Sequence, residues 1–175
     1  MKFIISFIIF FLIGGNAIWS QSLDSSTYSR LRSVILQTGH QQVEDLRFQV
    51  DQITSDPAPY LKAISGESGI RIYAKERAIL LLQYYPTEET ETFLQQKIGD
   101  DAAPKSLRNF AVRSYANGFY WRNQSKVEGF LKEFRSESTL RTTVDRSLED
   151  VKSKGPGKTF QKPKPEDLQR QKKDK

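Results

Sequence analysis

The sequence predicts an all-α chain, a short right-handed α-solenoid of about three helix-pair repeats preceded by a helical hairpin. Three observations carry this expectation. Tyr60-Leu61-Lys62-Ala63-Ile64-Ser65-Gly66-Glu67-Ser68-Gly69-Ile70-Arg71 returns 70 positions later, without a gap, as Phe130-Leu131-Lys132-Glu133-Phe134-Arg135-Ser136-Glu137-Ser138-Thr139-Leu140-Arg141. Both copies read aromatic-Leu-Lys, an apolar fifth residue, Glu-Ser, then an aliphatic-Arg pair. Second, Leu61, Leu94 and Leu131 are 33 and 37 residues apart, whereas Arg71, Arg108 and Arg141 are 37 and 33 apart. The difference of four is one helical turn, and it falls in Gly99–Ser106. Third, apolar residues recur at helical spacing between Gly, Pro and Asn-Gly stops. A unit of this size cannot bury its apolar face alone and does so by stacking on its neighbours.

The chain opens with one positive charge, Lys2, and an apolar run from Phe3 to Ile13, closed by Gly14-Gly15. That is the pattern of a secretory signal peptide, assigned here to residues 1–20. Ala17, Ser20 and Ser22 are the candidate last residues removed, with Ser20 favoured. The alternative is an inner-membrane anchor, since residues 3–19 sit at the short edge of the roughly 17–25 needed to span a bilayer. The expected location is outside the cytoplasm, periplasmic or secreted. No cysteine is present to take a lipid, so a lipoprotein is not expected; export without disulfides favours a bacterial protein.

Residues 21–54 are expected to form a capping hairpin. Asp24-Ser25-Ser26 offers cap oxygens; Tyr28, Leu31, Ile35 and Leu36 share a face; Gly39 ends the helix. Val43, Leu46, Val50 and Ile53 form the stripe of the second helix. His40, the single histidine, is read as a loop or cap residue, having no partner at ligand spacing.

The repeats are placed at 55–85, 86–118 and 122–150. Thr54-Ser55-Asp56-Pro57 starts the first unit, and Pro86 closes it. Thr87-Glu88-Glu89 starts the second, with acids where a helix dipole favours them, and Asn117-Gly118 is read as its stop. Asn123 is the expected N-cap of the third. Three residues after each repeat arginine comes Ala74, Ala111 or Val144, small enough for two helices to approach closely.

Residues 151–175 are read as a disordered basic tail. They hold nine Lys or Arg against three acids, which is the whole net charge of +6; residues 1–150 carry 18 of each sign. Gly155-Pro156-Gly157, Pro163 and Pro165 break any helix there, and little apolar surface is available to offset ordering entropy. Such a segment could attach to an anionic surface in a salt-sensitive way.

Helix pairs of this length, with an aliphatic-Arg-x-x-Ala opening on the second helix, resemble HEAT and HEAT-like (armadillo-like helical) repeats over about Ser55–Asp150. Tetratricopeptide repeats share the period, but their Trp-Leu-Gly-Tyr pattern is missing. The resemblance implies that the second helices line a concave, ligand-facing side, and it carries a binding role onto Arg71, Arg108 and Arg141. It also implies a ladder of turn acids paired with these arginines. Glu67 and Glu137 stand four before Arg71 and Arg141, whereas Arg108 has Pro104 at that place. A structural role in inter-repeat bonding competes with an anion-binding stripe for these arginines, because they recur with the repeat.

Two aromatic clusters, Tyr84-Tyr85 and Tyr120-Trp121-Arg122, end successive second helices and are further candidate binding residues. No zinc motif, phosphate-binding glycine loop or serine elbow is present, and no catalytic residue or cofactor is assigned. The sequence is therefore read as a non-enzymatic, exported protein–protein interaction or scaffold module with a protein or peptide partner. The alternatives are polyanion binding through residues 151–175, to an envelope polymer or nucleic acid, and a HEAT-like lyase or glycosylase-related subunit.

Overall fold

The computed structural model describes residues 23–39 and 42–156. The expected signal peptide, His40 and residues 157–175 of the basic tail lie outside the described residues. Among those described, eight α-helices and no strand are found. They are α1 (Ser25–Leu36), α2 (Val43–Asp51), α3 (Ala58–Gly66), α4 (Ile72–Leu81), α5 (Glu88–Gly99), α6 (Lys105–Phe119), α7 (Gln124–Glu133) and α8 (Ser138–Lys154). Short 3-10 turns follow α4 at Leu82–Tyr84 and α7 at Phe134–Ser136. The expected all-α class holds.

Three helices, α1, α5 and α7, begin at a side-chain oxygen. The Asp24 carboxylate accepts the Thr27 N–H at 2.7 Å, the Thr87 hydroxyl that of Thr90 at 3.2 Å, and Asn123 that of Lys126 at 3.1 Å. Each satisfies a donor that a helix start leaves without an intrahelical partner. Glu88, Glu89 and Glu91 occupy the first turn of α5, against the positive end of its dipole.

Consecutive helices pair as hairpins, α1 with α2, α3 with α4, α5 with α6 and α7 with α8. Second helices also meet one another: α2 packs on α4, α4 on α6, and α6 on α8. Repeat positions explain this contact. Leu61, Leu94 and Leu131 are each fully buried, as are Ala74, Ala111 and Val144. The second trio is small enough to let second helices close on one another. Phe130 adds an aromatic stack, with its ring centroid 5.5 Å from Tyr115 of α6 and 5.2 Å from Phe134.

Two features differ from the sequence expectation. Asn117-Gly118 does not stop a helix, because α6 runs on through Phe119. Gly118 is there for space: a Cβ on it would lie 3.2 Å from the Gln83 carbonyl oxygen and 3.3 Å from the Gln83 Cα. The end of α6 thus passes against the bare backbone of the turn after α4. Second, the basic tail does not begin at Val151. That residue is fully buried within α8, continuing the stripe Leu140, Val144 and Leu148, and the helix ends only at Lys154. Charge composition hid the stripe because Lys152 and Lys154 share its last turn. Gly155, at φ +71°, turns the chain away from the helix.

The α1–α2 connection is held from α4. The Arg77 guanidinium donates to the carbonyls of Ile35 at 3.3 Å, of Gln37, and of Gly39 at 2.6 Å. The Tyr73 hydroxyl donates to the Leu36 carbonyl at 2.8 Å. Ile35 and Leu36 lie in the last turn of α1, where a helix leaves its carbonyls without intrahelical donors.

Candidate functional site

The three repeat arginines are not equivalent. Arg108 is the fourth residue of α6 and Arg141 the fourth of α8, but α4 begins only at Ile72, leaving Arg71 as its N-cap. Gly69, at φ +78°, belongs to the turn that delays α4. From inside a helix, Arg108 and Arg141 reach back to the end of the preceding helix. Nε of Arg108 donates to the Ile98 carbonyl at 2.7 Å, and Nε of Arg141 to the Arg135 carbonyl at 2.8 Å. Arg71 is exposed, and its side chain makes no hydrogen bond or ion pair with a described residue.

Arg108 is 5% exposed, and its two terminal nitrogens meet Asp101 at 3.1 Å and Glu137 at 2.9 Å. It ties α5, α6 and the start of α8 together. The acids also pair differently from the expected ladder. Glu137 reaches the arginine of the preceding hairpin and not Arg141. Glu67 likewise reaches back, its two oxygens accepting the Arg32 Nε–H at 2.9 and 3.0 Å, with a terminal nitrogen of Arg32 at 2.9 Å and the Tyr28 hydroxyl at 2.7 Å. The Arg32 guanidinium, then the Tyr28 hydroxyl, hold the Glu67 carboxyl below its ordinary range. Burial, then Glu67, push the Tyr28 hydroxyl up to about 12.

The aromatic candidates are largely used internally. Tyr84 and Tyr85 turn onto α2: the Tyr85 hydroxyl donates to Asp51 at 2.7 Å, and the Arg47 guanidinium lies 4.6 Å from the Tyr84 ring centroid. Burial raises both hydroxyls, that of Tyr84 to about 12. Tyr120 is buried and packs edge-on to Trp121 at 5.1 Å; the indole N–H of Trp121 is buried without an acceptor among the described residues. Arg122 is exposed in the turn before α7.

The Tyr120 hydroxyl donates to Glu128 at 2.9 Å, and that carboxylate also accepts from Lys132 at 2.9 Å and Lys152 at 2.8 Å. One acid of α7 thereby holds α6 and α8. Lys152 first, then Lys132 and Tyr120, hold Glu128 down to about 2 from an ordinary 4.5. The folded value is depressed, so the stabilisation is present above about 4.5 and is lost as pH falls towards about 2. Both lysines are half exposed, which limits its size to about 1 kcal/mol at neutral pH. Glu128→Gln is expected to lower Tm at pH 7, and the gap from the parent chain to close near pH 2. Parallel thermal melts across that range check it.

A groove of about 270 Å³ lies over α6, between α4 and α8. Leu80 contributes from α4, Arg113 and Asn117 from α6, and Thr143, Arg146 and Asp150 from α8. Neither Arg113 nor Arg146 makes an ion pair or hydrogen bond with a described residue; Arg113 only rests on the Phe110 ring at 5.4 Å. Sequence reasoning did not single out these residues, although a signal was present. Arg108 and Arg141 both open Arg-x-x-Ala/Val-x-Arg-Ser, the second arginine being Arg113 or Arg146. Five residues carry a side chain about 140° round a helix, so in α6 Arg108 enters the packing while Arg113 faces out; in α8 both Arg141 and Arg146 are exposed. Nine residues after the repeat arginines stand Leu80, Asn117 and Asp150, a row across all three second helices. The first unit has Glu76 where the others have the second arginine.

Among the described residues no three of His, Cys, Asp and Glu come together as a metal ligand set, and no helix is long and apolar enough to cross a membrane. Comparisons with protein-family models, with curated proteins and with solved structures return no match to this chain.

Proposed function

We propose that this chain is a non-enzymatic interaction or scaffold module, a short right-handed solenoid of HEAT-like helix pairs that binds a protein or peptide in the groove over α6. The observation that carries it is the pair of arginines, Arg113 and Arg146, presented from neighbouring helices without acidic partners among the described residues. Charged side chains with no structural partner, placed in a concavity on rigid helices, suit recognition. The sequential contact of α2, α4, α6 and α8 supports the stacked arrangement. Export follows the N-terminal pattern of Lys2 and the apolar run after it.

Thr143→Trp fills the groove at an incompletely buried position, and Gln96→Trp marks a separate, exposed control surface beside Phe93. Partners recovered with the full chain from its own cell envelope and medium are expected to be lost with Thr143→Trp and kept with Gln96→Trp. Retention of every partner with the groove filled overturns the assignment. The intact mass of the native protein, lacking about 17–22 residues, tests export.

A second reading is favoured by charge. Residues 157–175 hold seven Lys or Arg against three acids, a net +4, whereas residues 1–150 are balanced. Attachment of this segment to an envelope polymer or other polyanion would disappear with the segment and fall steeply with salt. Lys152 does not belong to that attachment, being paired with Glu128.

A further inference from the structure

We infer that the groove over α6 takes a peptide segment in which a single carboxylate side chain neighbours an apolar one; this rests on the groove being the binding surface. The argument begins with charge. Arg113 and Arg146 contribute two positive charges and Asp150 one negative, so the groove has a surplus of one. A carboxylate cancels that surplus, while a phosphate dianion exceeds it and meets Asp150. Geometry agrees, because each guanidinium presents a rigid fork of N–H donors matched to two carboxylate oxygens.

The row across the second helices then orders the rest of the ligand. Leu80 lies on one side, Asn117 in the middle and Asp150 on the other. Leu80 suits an apolar side chain. The Asn117 amide carries both donors and an acceptor, which is what an extended peptide backbone requires. Asp150 accepts N–H groups and repels a second acid. At about 270 Å³ the groove is below the roughly 300–1,000 Å³ of small-molecule sites, and has room for a side chain with a short stretch of backbone.

The test uses the full chain labelled with nitrogen-15 and three end-blocked pentapeptides, Ala-Leu-Glu-Ala-Ala, its Gln counterpart and its phosphoserine counterpart. The reporters are the Asn117 side-chain amide and the backbone signals of Thr143 and Arg146; signals of residues 157–175 separate attachment to the basic segment. The Glu peptide is expected to shift the groove reporters saturably, with the Gln peptide at least about tenfold weaker. Arg113→Gln and Arg146→Gln are each expected to weaken the Glu peptide about tenfold, and Asp150→Asn to strengthen it. Equal binding of the Glu and Gln peptides, tighter binding of the phosphoserine peptide, or no shift of the reporters overturns the carboxylate assignment. If only the Gln peptide moves the reporters, the groove stands as the binding surface and its ligand class falls. If no peptide moves them and Thr143→Trp keeps every partner, both fall.

Discussion

Arg108→Ala is expected to lower stability by about 3 kcal/mol, the largest loss at any repeat arginine. The side chain is buried, and its removal strands the Ile98 carbonyl and leaves Glu137 without its cation. Asp101 is 85% exposed and Glu137 33%, so water recovers part of the loss and holds it at the low end for a broken buried ion pair. Arg108→Lys is expected to recover little, because one ammonium cannot serve a carbonyl and two carboxylates lying in different directions. Arg71→Ala is expected to change stability by less than about 0.5 kcal/mol, since Arg71 is exposed and holds no described partner. Urea unfolding of the three variants checks the ranking. Equal losses at positions 71 and 108 would mean that the spacing alone decides their role.

Gly118→Val is expected to destabilise the chain by about 2–3 kcal/mol. The branched side chain must enter where a Cβ alone already comes within 3.2 Å of the Gln83 carbonyl oxygen. The obstacle is backbone, which cannot rotate aside as a side-chain tip can. Gly118→Ala is expected to be far milder, because a gain of about 1 kcal/mol in helix propensity opposes the crowding. Thermal melts of both variants separate space from propensity: if propensity ruled the site, alanine would stabilise and valine would be close to neutral.

Much of the fold was legible in the sequence because the relevant physics is local. Cap oxygens at Asp24, Thr87 and Asn123 lie within three residues of the N–H they satisfy. The buried trio Leu61, Leu94 and Leu131 shows in the spacing because each repeat solves the same packing problem. What the spacing could not show is where a helix begins relative to a repeated residue. Arg71 and Arg141 both stand ten residues after their leucine, yet one caps a helix and the other is a full turn inside it. The extra turn in Gly99–Ser106 made the second unit look exceptional; for the arginines the first unit is the exception. Gly118 read as a stop because a close approach of two backbones leaves the same mark in sequence as a helix end. The groove was legible in principle through Arg113 and Arg146, but the arginines that lead each repeat drew the functional reading to a position that packing claims at Arg108.

The backward reach of Glu67 and Glu137 gives the chain a fixed word order. Each acid answers a cation in the hairpin before it, Arg32 in one case and Arg108 in the other. The middle junction carries no such exchange between Arg71 and a described acid; there α4 packs on α6, with Gly118 against bare backbone. The hairpins are therefore not interchangeable bricks. Excising the α5–α6 pair would set Glu137 beside a neighbour whose arginine caps its helix and does not reach forward; duplicating it would place a second Arg108 where no Glu137 follows. The chain repeats in composition, and its joints are individually keyed.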